Sequence, residues 1–598
     1  MIEIRSPLQG TIVRAAAVGS RVATGAEVVV VESMKMEHSV DTATAGTVVE
    51  LHVGVGDLVQ VDDLLAVVDP SAGAEPAIGA TQAAAAGERA DLAEVRARHA
   101  IGLDAARPDA IERRRRTRQR TARENIADLL DDGSFVEYGP VVIAAQRRRR
   151  ALDDLIARTP ADGLVAGTGA IDGHQVVAMT YDYTVLAGTQ GLQNHRKKDR
   201  LFELAERQRL PVVLFAEGGG GRPGDTDGVG VSGLDCLAFN LFGRLSGLVP
   251  LIGITSGRCF AGNAALLGCC DVVIATEGSN IGMGGPAMIE GGGLGVFAPE
   301  AIGSMDVQVP NGVVDVAVPD EAAAVRVAQQ YLGYFQGATQ TWTVPDPELA
   351  RSVIPENRLK VYDVRAAIDS ITDGDSVLEL RAAFGRGMVT ALARVEGRPM
   401  GVIANNPMHL AGAIDADGAD KAARFMQLCD AFDLPIVFLC DTPGMMVGPE
   451  AEATALVRHV SRLFVTGANL SVPFGTVILR KGYGLGAQAM AGGSFKAPLF
   501  CVAWPSGEVG GMGLEGAVRL GYRKELEAIE DAEQRQRAFE EMVDRMYEHG
   551  KALNAASHFE IDDVIDPADT RRWISSAFGA APAPAPRTGK KRPNIDTW

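Results

Sequence analysis

Apolar and polar positions alternate through most of the first seventy residues, interrupted by glycine-bearing turns. Alternation with period two marks half-buried strands, and the turns keep them short. The pattern also repeats. PLQGTIVRAAAVGSRVATGAEVVVVE (residues 7–32) aligns with TAGTVVELHVGVGDLVQVDDLLAVVD (residues 44–69), so that Gly10-Thr11 matches Gly46-Thr47 and Val13 matches Val49. After one extra residue, Gly19 matches Gly56, Val22 matches Val59, and Val30-Val31 match Val67-Val68. Each half predicts about four short strands. Met34-Lys35 falls on the hairpin between the halves, at the pseudo-twofold axis, which pushes Lys35 out on a tight turn away from the core.

The alternation stops at Pro70. PSAGAEPAIGATQAAAAGERAD is rich in Ala, Gly and Pro and nearly free of bulky apolar residues, the composition of a flexible connector over residues 71–91. About 20 such residues span roughly 25 Å root-mean-square and up to roughly 65 Å extended. From Leu92 the chain turns helical and basic. The arginines of IERRRRTRQRTARENIADLLDDGSF (Ile111–Phe135) form either a solvated helix face or a surface for a polyanionic ligand.

A second duplication follows. Gly173 pairs with Gly397, Leu186-Ala187-Gly188 with Leu410-Ala411-Gly412, and Leu210-Pro211 with Leu434-Pro435, each 224 residues apart. LPVVLFAEGGGG stands beside LPIVFLCDTPGM, and the match continues from Pro250 to Pro473 at an offset of 223. Two homologous α/β domains are expected, 92–340 and 341–578, with residues 579–598 as an Ala/Pro tail: a mobile spacer with Trp598 as a candidate anchor. In each domain a buried strand ends in a glycine-rich turn and a helical pattern follows, at Glu217–Gly221, Cys259–Asn263, Asp441–Gly444 and Gly482–Gly486. Glycines there let backbone N–H groups approach a ligand, and a following helix N-terminus adds positive potential. Strand–helix packing alone also accounts for such turns. HRKK (His195–Lys198) opens a helix after Gly188–Gly191 and is either a phosphate site or a solvated face.

Composition narrows the class. With 598 residues the chain exceeds one core. A net charge of −18 argues against nucleic acid as the main partner. The chain opens without a signal peptide, and no apolar run reaches the ~20 residues of a membrane span, so a cytoplasmic protein is expected. Seven cysteines are too few and too apolar in setting for a disulfide framework and lack metal-ligand spacing, the pair Cys269-Cys270 in LLGCCDVVIA reading as core packing, which fits a reducing compartment. No metal site, Ser/His/Asp arrangement or HExxH stands out.

ESMKMEH resembles the biotin attachment site of biotin carboxyl carrier domains, with Met34 and Met36 flanking a biotinyl-lysine at Lys35; lipoyl carriers share the architecture but usually have different flanks. Residues ~110–560 resemble the carboxyltransferase component of acyl-CoA carboxylases of the propionyl- and acetyl-CoA type. TARENIADLLDDGSF, EGGGGR, GRCFAGNAAL, YDVR, ARVEGRPMGVIANNP, KAARFMQLCDAFDLPIVFLCDTPG, RKGYGLGAQAM and AWPSGEVGGMGLEGAV carry the likeness. It implies an α/β chain: an all-β biotinyl domain (1–70, a flattened barrel) and two tandem crotonase/ClpP-like domains. It further implies a hexamer whose active site lies between the first domain of one subunit and the second of another.

The implied reaction moves CO2 from carboxybiotin to the α-carbon of an acyl-CoA, within fatty-acid-type metabolism. Negative charge develops on the thioester oxygen and on the ureido oxygen, so two oxyanion sites are needed. The turns at Ala261-Gly262 and Leu485-Gly486 are the candidates. The α-proton goes to biotin itself, and holding the reagent on a carrier makes the step effectively intramolecular. Gly219, Gly220 and Gly285 are candidate substrate-binding glycines, Arg196 and Lys197 candidate coenzyme A phosphate partners, and Gln488 a candidate acyl-pocket residue. This chain departs from the family where Ala261-Gly262, followed by Asn263, stands in place of the usual two glycines and where Leu485 replaces a frequent glycine. The version RKGYGLGAQAM leans toward broader or longer acyl ranges. No segment of several hundred residues remains for a biotin carboxylase domain, so a separate biotin carboxylase subunit is expected to use ATP, Mg2+ and bicarbonate, and a biotin protein ligase to modify Lys35. The competing readings are an acyl-CoA decarboxylase running the transfer in reverse and a non-catalytic biotin carrier scaffold; the glycine turns in both domains argue against the scaffold.

Overall fold

The computed structural model describes residues 1–70, 88–222, 224–228, 231–585 and 587–598. It divides into two compact units, Met1–Ala97 and Arg98–Trp598. Most of the expected connector, residues 71–87, lies outside the described residues; its last residues, Ala90 and Asp91, open the helix Ala90–Ala100.

In the first unit the repeat becomes two four-stranded sheets. One orders Ile2–Arg5, Leu64–Asp69, Gly46–Leu51 and Arg21–Val22; the other orders Met36–Asp41, Glu27–Ser33, Gly10–Ala15 and Leu58–Val59. Each half of the repeat supplies strands to both sheets. The cores meet through Ile12, Val29, Val31, Val48, Leu65 and Val68. Val28 to Val31 are all buried, and Val28, Val29 and Val31 belong to this core.

The two large sheets of the second unit have matching topology. The first runs Val316–Val318, Val272–Thr276, Leu251–Thr255, Val212–Phe215, His174–Tyr181, Leu164–Ile171, Val136–Glu137. The second places Met388–Val395, Arg398–Asn405, Ile436–Thr442, Phe474–Tyr483 and Cys501–Ala503 side by side. Strands entered by crossover helices pair in parallel, and each sheet carries an antiparallel hairpin closed by a two-residue turn. Those hairpins close at Asp172-Gly173 and Glu396-Gly397, all four residues having positive φ. A two-residue turn of that kind fits the twist of its strands and favours glycine, which explains the Gly173–Gly397 match.

The halves share one continuous core. Val213, Ile252 and Ile274 belong to the same apolar cluster as Ile403, Phe438 and Ile478. Buried polar contacts cross as well: Arg381 Nε donates to Asp315 at 3.0 Å, and Arg424 to the Asp271 carbonyl. The end of the chain is a strap and not a free spacer, which corrects the expectation for residues beyond Thr588. Ile595 is buried and its N–H donates to Ser246 Oγ at 3.1 Å, whereas Asp596 accepts from Gln427 at 2.8 Å and Arg462 at 2.9 Å. Trp598 packs against Phe384 in a tilted arrangement with ring centroids 5.0 Å apart. The strap therefore touches both halves. Among the described residues no helix is long and apolar enough to cross a membrane.

Candidate active site

Lys35 sits on the two-residue turn joining Glu27–Ser33 to Met36–Asp41, where Ser33 pairs with Met36. Met34 and Lys35 have φ of 53° and 66°, the left-handed conformation that such a turn demands at both positions. Neither is Gly, Asn or Asp, the residues that enter it cheaply. Met34 is 95% exposed and Met36 65%. A strained, protruding lysine between two bare methionines suits a group that must be reached by other active sites, and biotin fits it.

In the first transferase half, the strand Val212–Phe215 leads to Glu217 and the glycine run 218–221. Glu217 is buried and clamped by Arg114, whose two terminal nitrogens donate at 2.7 and 2.9 Å. One member of the arginine run is thus an internal ion-pair partner, and Arg113, Arg115 and Arg116 stay exposed. Gly220 lies directly against the neighbouring turn: a Cβ there would be 2.7 Å from the Ala261 methyl and 3.5 Å from the Gly262 nitrogen. Gly219 adjoins Thr189. Gly285, capping the helix Pro286–Gly291, rests on the Phe260 ring just before Ala261.

The turn itself is unusual. Ala261 has φ 52° and ψ −123°, a region that an L-residue enters at a cost of roughly 1–3 kcal/mol. Its N–H donates to the Gly282 carbonyl at 3.0 Å, which removes Ala261 as a free donor and corrects that part of the expectation. The Gly262 amide opens the helix Gly262–Gly268 and has no carbonyl four residues back in that helix to reach.

The second half repeats the arrangement. Asp441 takes the place of Glu217, held by Lys481 at 2.6 Å, Arg480 at 3.2 Å and the Tyr362 hydroxyl at 2.9 Å. Gly444 takes the place of Gly220. The strand Phe474–Tyr483 runs straight into the helix Gly484–Ala489, whose first-turn amides include Leu485 and Gly486. The residue with positive φ is here Gly484, at 56°. Gly486 touches Gly444 backbone to backbone, so that a Cβ would be 2.8 Å from the Gly444 Cα. Leu485 and Gln488 line a cavity of about 1050 Å³ together with Phe495, Lys496, Met512 and Phe559.

The basic segment divides. Arg196 is exposed. Lys197 is buried, its Nζ donating to the carbonyls of Ala161 and Leu164, and burial pushes its pKa down to about 8. Its role as a phosphate partner is therefore corrected. Its counterpart in the duplication, Lys421, donates to three carbonyls, of Arg381, Phe384 and Met388, at 2.8, 3.0 and 2.7 Å. The pair is a structural device common to both halves. Burial, with Lys198 and Arg222 nearby, lowers His195 to about 4. Gln190 and the two carboxylate clamps escape sequence reasoning, although the acid ending each apolar run, Glu217 and Asp441, already marks where the clamps sit. Among the described residues no group of His, Cys, Asp and Glu could hold a metal ion.

Comparison with known proteins agrees with this geometry. The carboxyl transferase domain family matches residues 113–595, and the biotin-requiring enzyme family matches residues 2–68. The methylmalonyl-CoA carboxyltransferase 12S subunit of Propionibacterium freudenreichii subsp. shermanii is 34% identical over 485 residues, 78% of this chain and 90% of that one. The biotin-dependent long chain acyl-coenzyme A carboxylase beta4 subunit of Mycobacterium tuberculosis is 32% identical over 513 residues, 81% of this chain and 93% of that one. Among solved structures, a single-chain, multi-domain long-chain acyl-CoA carboxylase matches with a TM-score of 0.80 at 57% identity over 96% of this chain. This chain spans 56% of that protein's length. A transcarboxylase 12S structure matches with a TM-score of 0.71 at 30% identity, covering 84% of this chain and 98% of the other. The chain therefore belongs to the carboxyl transferase family of biotin-dependent acyl-CoA carboxylases, and joins a biotin-carrier domain to a crotonase-like carboxyltransferase.

Proposed function

We propose that this chain carboxylates the α-carbon of an acyl-CoA, with biotin held on Lys35 and the two duplicated turns as its oxyanion sites. The observation that carries the reading is the pair of equivalent turns, each with amides left out of a helical ladder, on a chain that also bears a carrier lysine on a protruding hairpin. Biotin supplies CO2 on its ureido ring. The Gly262 amide stabilises one developing oxyanion and the Leu485 and Gly486 amides the other, each donor contributing about 3–4 kcal/mol to the barrier difference. Gly219, Gly220 and Gly285 border the first turn and leave room for the thioester. Arg196 is free to meet a coenzyme A phosphate.

Gln488 and the largely apolar wall of the cavity beside it take the acyl chain. That cavity, and the likeness to two carboxylases described as long-chain, support an acyl group longer than acetyl or propionyl. The working form is a hexamer, as described for transcarboxylase 12S, with each site built from the first half (92–340) of one subunit and the second (341–578) of another. A biotin ligase loads Lys35, and a biotin carboxylase using ATP, Mg2+ and bicarbonate charges the carrier (1–70). The cytoplasm is the expected location.

The test uses the purified full chain with free biotin and three CoA thioesters: malonyl-CoA, methylmalonyl-CoA and a long-chain alkylmalonyl-CoA. Biotin-dependent CO2 release should be fastest with the long-chain compound. It should vanish in Gly262→Pro and in Gly486→Pro, and return in part when the two variants are mixed and reassembled. No biotin-dependent release from any of the three refutes the reading.

A further inference from the structure

The two halves share one backbone at their catalytic turns but hold it differently. Gln190 corresponds to Ile414 at the 224 offset, and Asn263 to Gly486 at the 223 offset that follows Pro250. The main chain confirms the first match. The Gln190 N–H donates to the Gly220 carbonyl at 3.0 Å and its carbonyl accepts from Arg222 at 2.8 Å; Ile414 makes the same two bonds to Gly444 and Met446, at 3.1 and 2.9 Å. Only the side chains differ. In the second half they are a buried isoleucine and no side chain at all.

In the first half they form a buried polar pair. Gln190 Nε2 donates to Asn263 Oδ1 and lies 3.3 Å from the Tyr181 hydroxyl, which also accepts from Lys198 Nζ at 3.0 Å. Asn263 Nδ2 donates to the Gly188 carbonyl at 3.0 Å and the Glu217 carbonyl at 2.7 Å. Asn263 thus ties together the start of its own helix, the loop carrying Gly188 and Gln190, and the strand end that feeds the glycine run. A Cβ on Gly262 would sit 3.1–3.2 Å from the Gln190 amide, so this amide also backs the residue whose N–H is left free.

The position of the pair matters. Ala261 occupies a backbone region that an alanine does not choose, and such a residue persists only where its surroundings over-determine it. The corresponding residue of the second half is Gly484, which adopts positive φ without help. The polar pair is present where the turn is strained and missing where glycine relieves it. A buried polar pair is costly unless fully satisfied, and when satisfied it specifies one arrangement.

We propose that Gln190 and Asn263 are positioning residues, a latch that holds the strained Ala261–Gly262 turn so that the Gly262 amide meets the developing oxyanion during carboxyl transfer. This rests on the reading of Gly262 as an oxyanion donor. The latch touches neither substrate nor biotin; it acts through the turn.

The experiment measures biotin-dependent CO2 release by the full chain from the best of the three malonyl-type thioesters. It records kcat, KM and thermal midpoint for Gln190→Ile/Asn263→Ala, and for the same double variant carrying Ala261→Gly. The double variant should lose about 100-fold in kcat, the scale of a misplaced catalytic group, with KM within about 3-fold of wild type. Adding Ala261→Gly removes the strain the latch restrains and should recover kcat to within about 5-fold. A purely structural pair would lower the thermal midpoint and leave kcat of the folded enzyme unchanged, which overturns the proposal. Loss of kcat that Ala261→Gly does not restore overturns it too. Should the double variant not fold, Gln190→Met alone must show the same split between kcat and KM. Gly262→Pro separates the two readings: full activity in that variant removes the oxyanion assignment, whereas its inactivity beside an active double variant removes only the latch.

Discussion

The contact between Gly486 and Gly444 makes Gly486→Ala the sharpest single test of the second turn. The added methyl would sit 2.8 Å from the Gly444 Cα, 2.9 Å from its carbonyl carbon and 3.2 Å from its oxygen. Ordinary contact needs about 3.4 Å or more, so two backbone segments must separate by roughly 0.6 Å. Neither is loose: the Gly444 N–H donates to Thr442 Oγ1 at 3.1 Å and its carbonyl accepts from Ile414 at 3.1 Å. The displacement passes into the amides of Leu485 and Gly486.

Overpacking of this kind costs about 1–3 kcal/mol. In a cooperative unit of about 500 residues, at roughly 2.1 cal/mol/K of unfolding entropy per residue, that lowers the thermal midpoint by about 1–3 °C. Misplacing one oxyanion donor lowers kcat by about 100-fold. Gly262→Ala is the matched control. The three atoms nearest its methyl belong to the Gln190 side-chain amide, at 3.1–3.2 Å, and the equivalent position in the second half already carries a leucine side chain. Steady-state CO2 release and differential scanning fluorimetry on both variants should give a kcat loss at least tenfold larger for Gly486→Ala, with KM within about 3-fold. Wild-type kcat and thermal midpoint in Gly486→Ala would refute the reasoning, since the contact would then be one the chain can open freely.

Lys35→Arg should abolish streptavidin binding and carrier-dependent transfer while leaving CO2 release with free biotin intact; a retained streptavidin signal means another lysine is modified. Arg114→Met strands the Glu217 carboxylate in the core and should destabilise the transferase by about 3–5 kcal/mol in denaturant melts, and Arg114→Met/Glu217→Gln should regain much of it. Lys198 is fully buried, and desolvation drives its pKa down to about 7. A depressed lysine costs nothing above its unfolded pKa, and its cost builds as pH falls from about 10.4 to about 7, at up to about 1.4 kcal/mol per pH unit. The stability gain of Lys198→Met over wild type should therefore shrink as pH rises from 7 to 10; a pH-independent difference contradicts the burial argument.

Much of this was legible because the fold is built twice. Each transferase hairpin has positive φ at two residues and a glycine at the second of them, so Gly173 and Gly397 announce the repeat. The carrier hairpin is readable for a related reason, since its lysine lies where two similar halves meet. What stayed hidden depends on contacts remote in sequence. Four consecutive charged or polar residues on a helix cannot all face outward at 3.6 residues per turn, but which of His195–Lys198 turns in is decided by the carbonyls of Ala161 and Leu164. Arg114 looks like its neighbours until Glu217 is placed beside it. The tail reads as a spacer from APAPAP, yet its last residues supply one apolar anchor, Ile595, and one carboxylate, Asp596, for partners that lie in both halves.

Duplication also explains why the two turns need not be interchangeable. Both halves keep a carboxylate at the strand end, and in both it is buried, so both must keep a cation beside it. The first half draws that cation from a helix near its start, through Arg114, and the second from its own next strand, through Arg480 and Lys481. The carboxylate position is thus constrained and the source of its partner is not. The turns follow the same logic: an amide must be presented, but strained alanine with a polar latch and glycine pressed on glycine are two ways to present it. The proposed reaction develops charge on two different oxygens, one on a thioester and one on a cyclic urea. A site that had to bind both alike would gain from identical turns. A site that binds one at each turn allows each to be tuned separately, and the divergence of Gln190 and Asn263 from Ile414 and Gly486 is what separate tuning leaves behind.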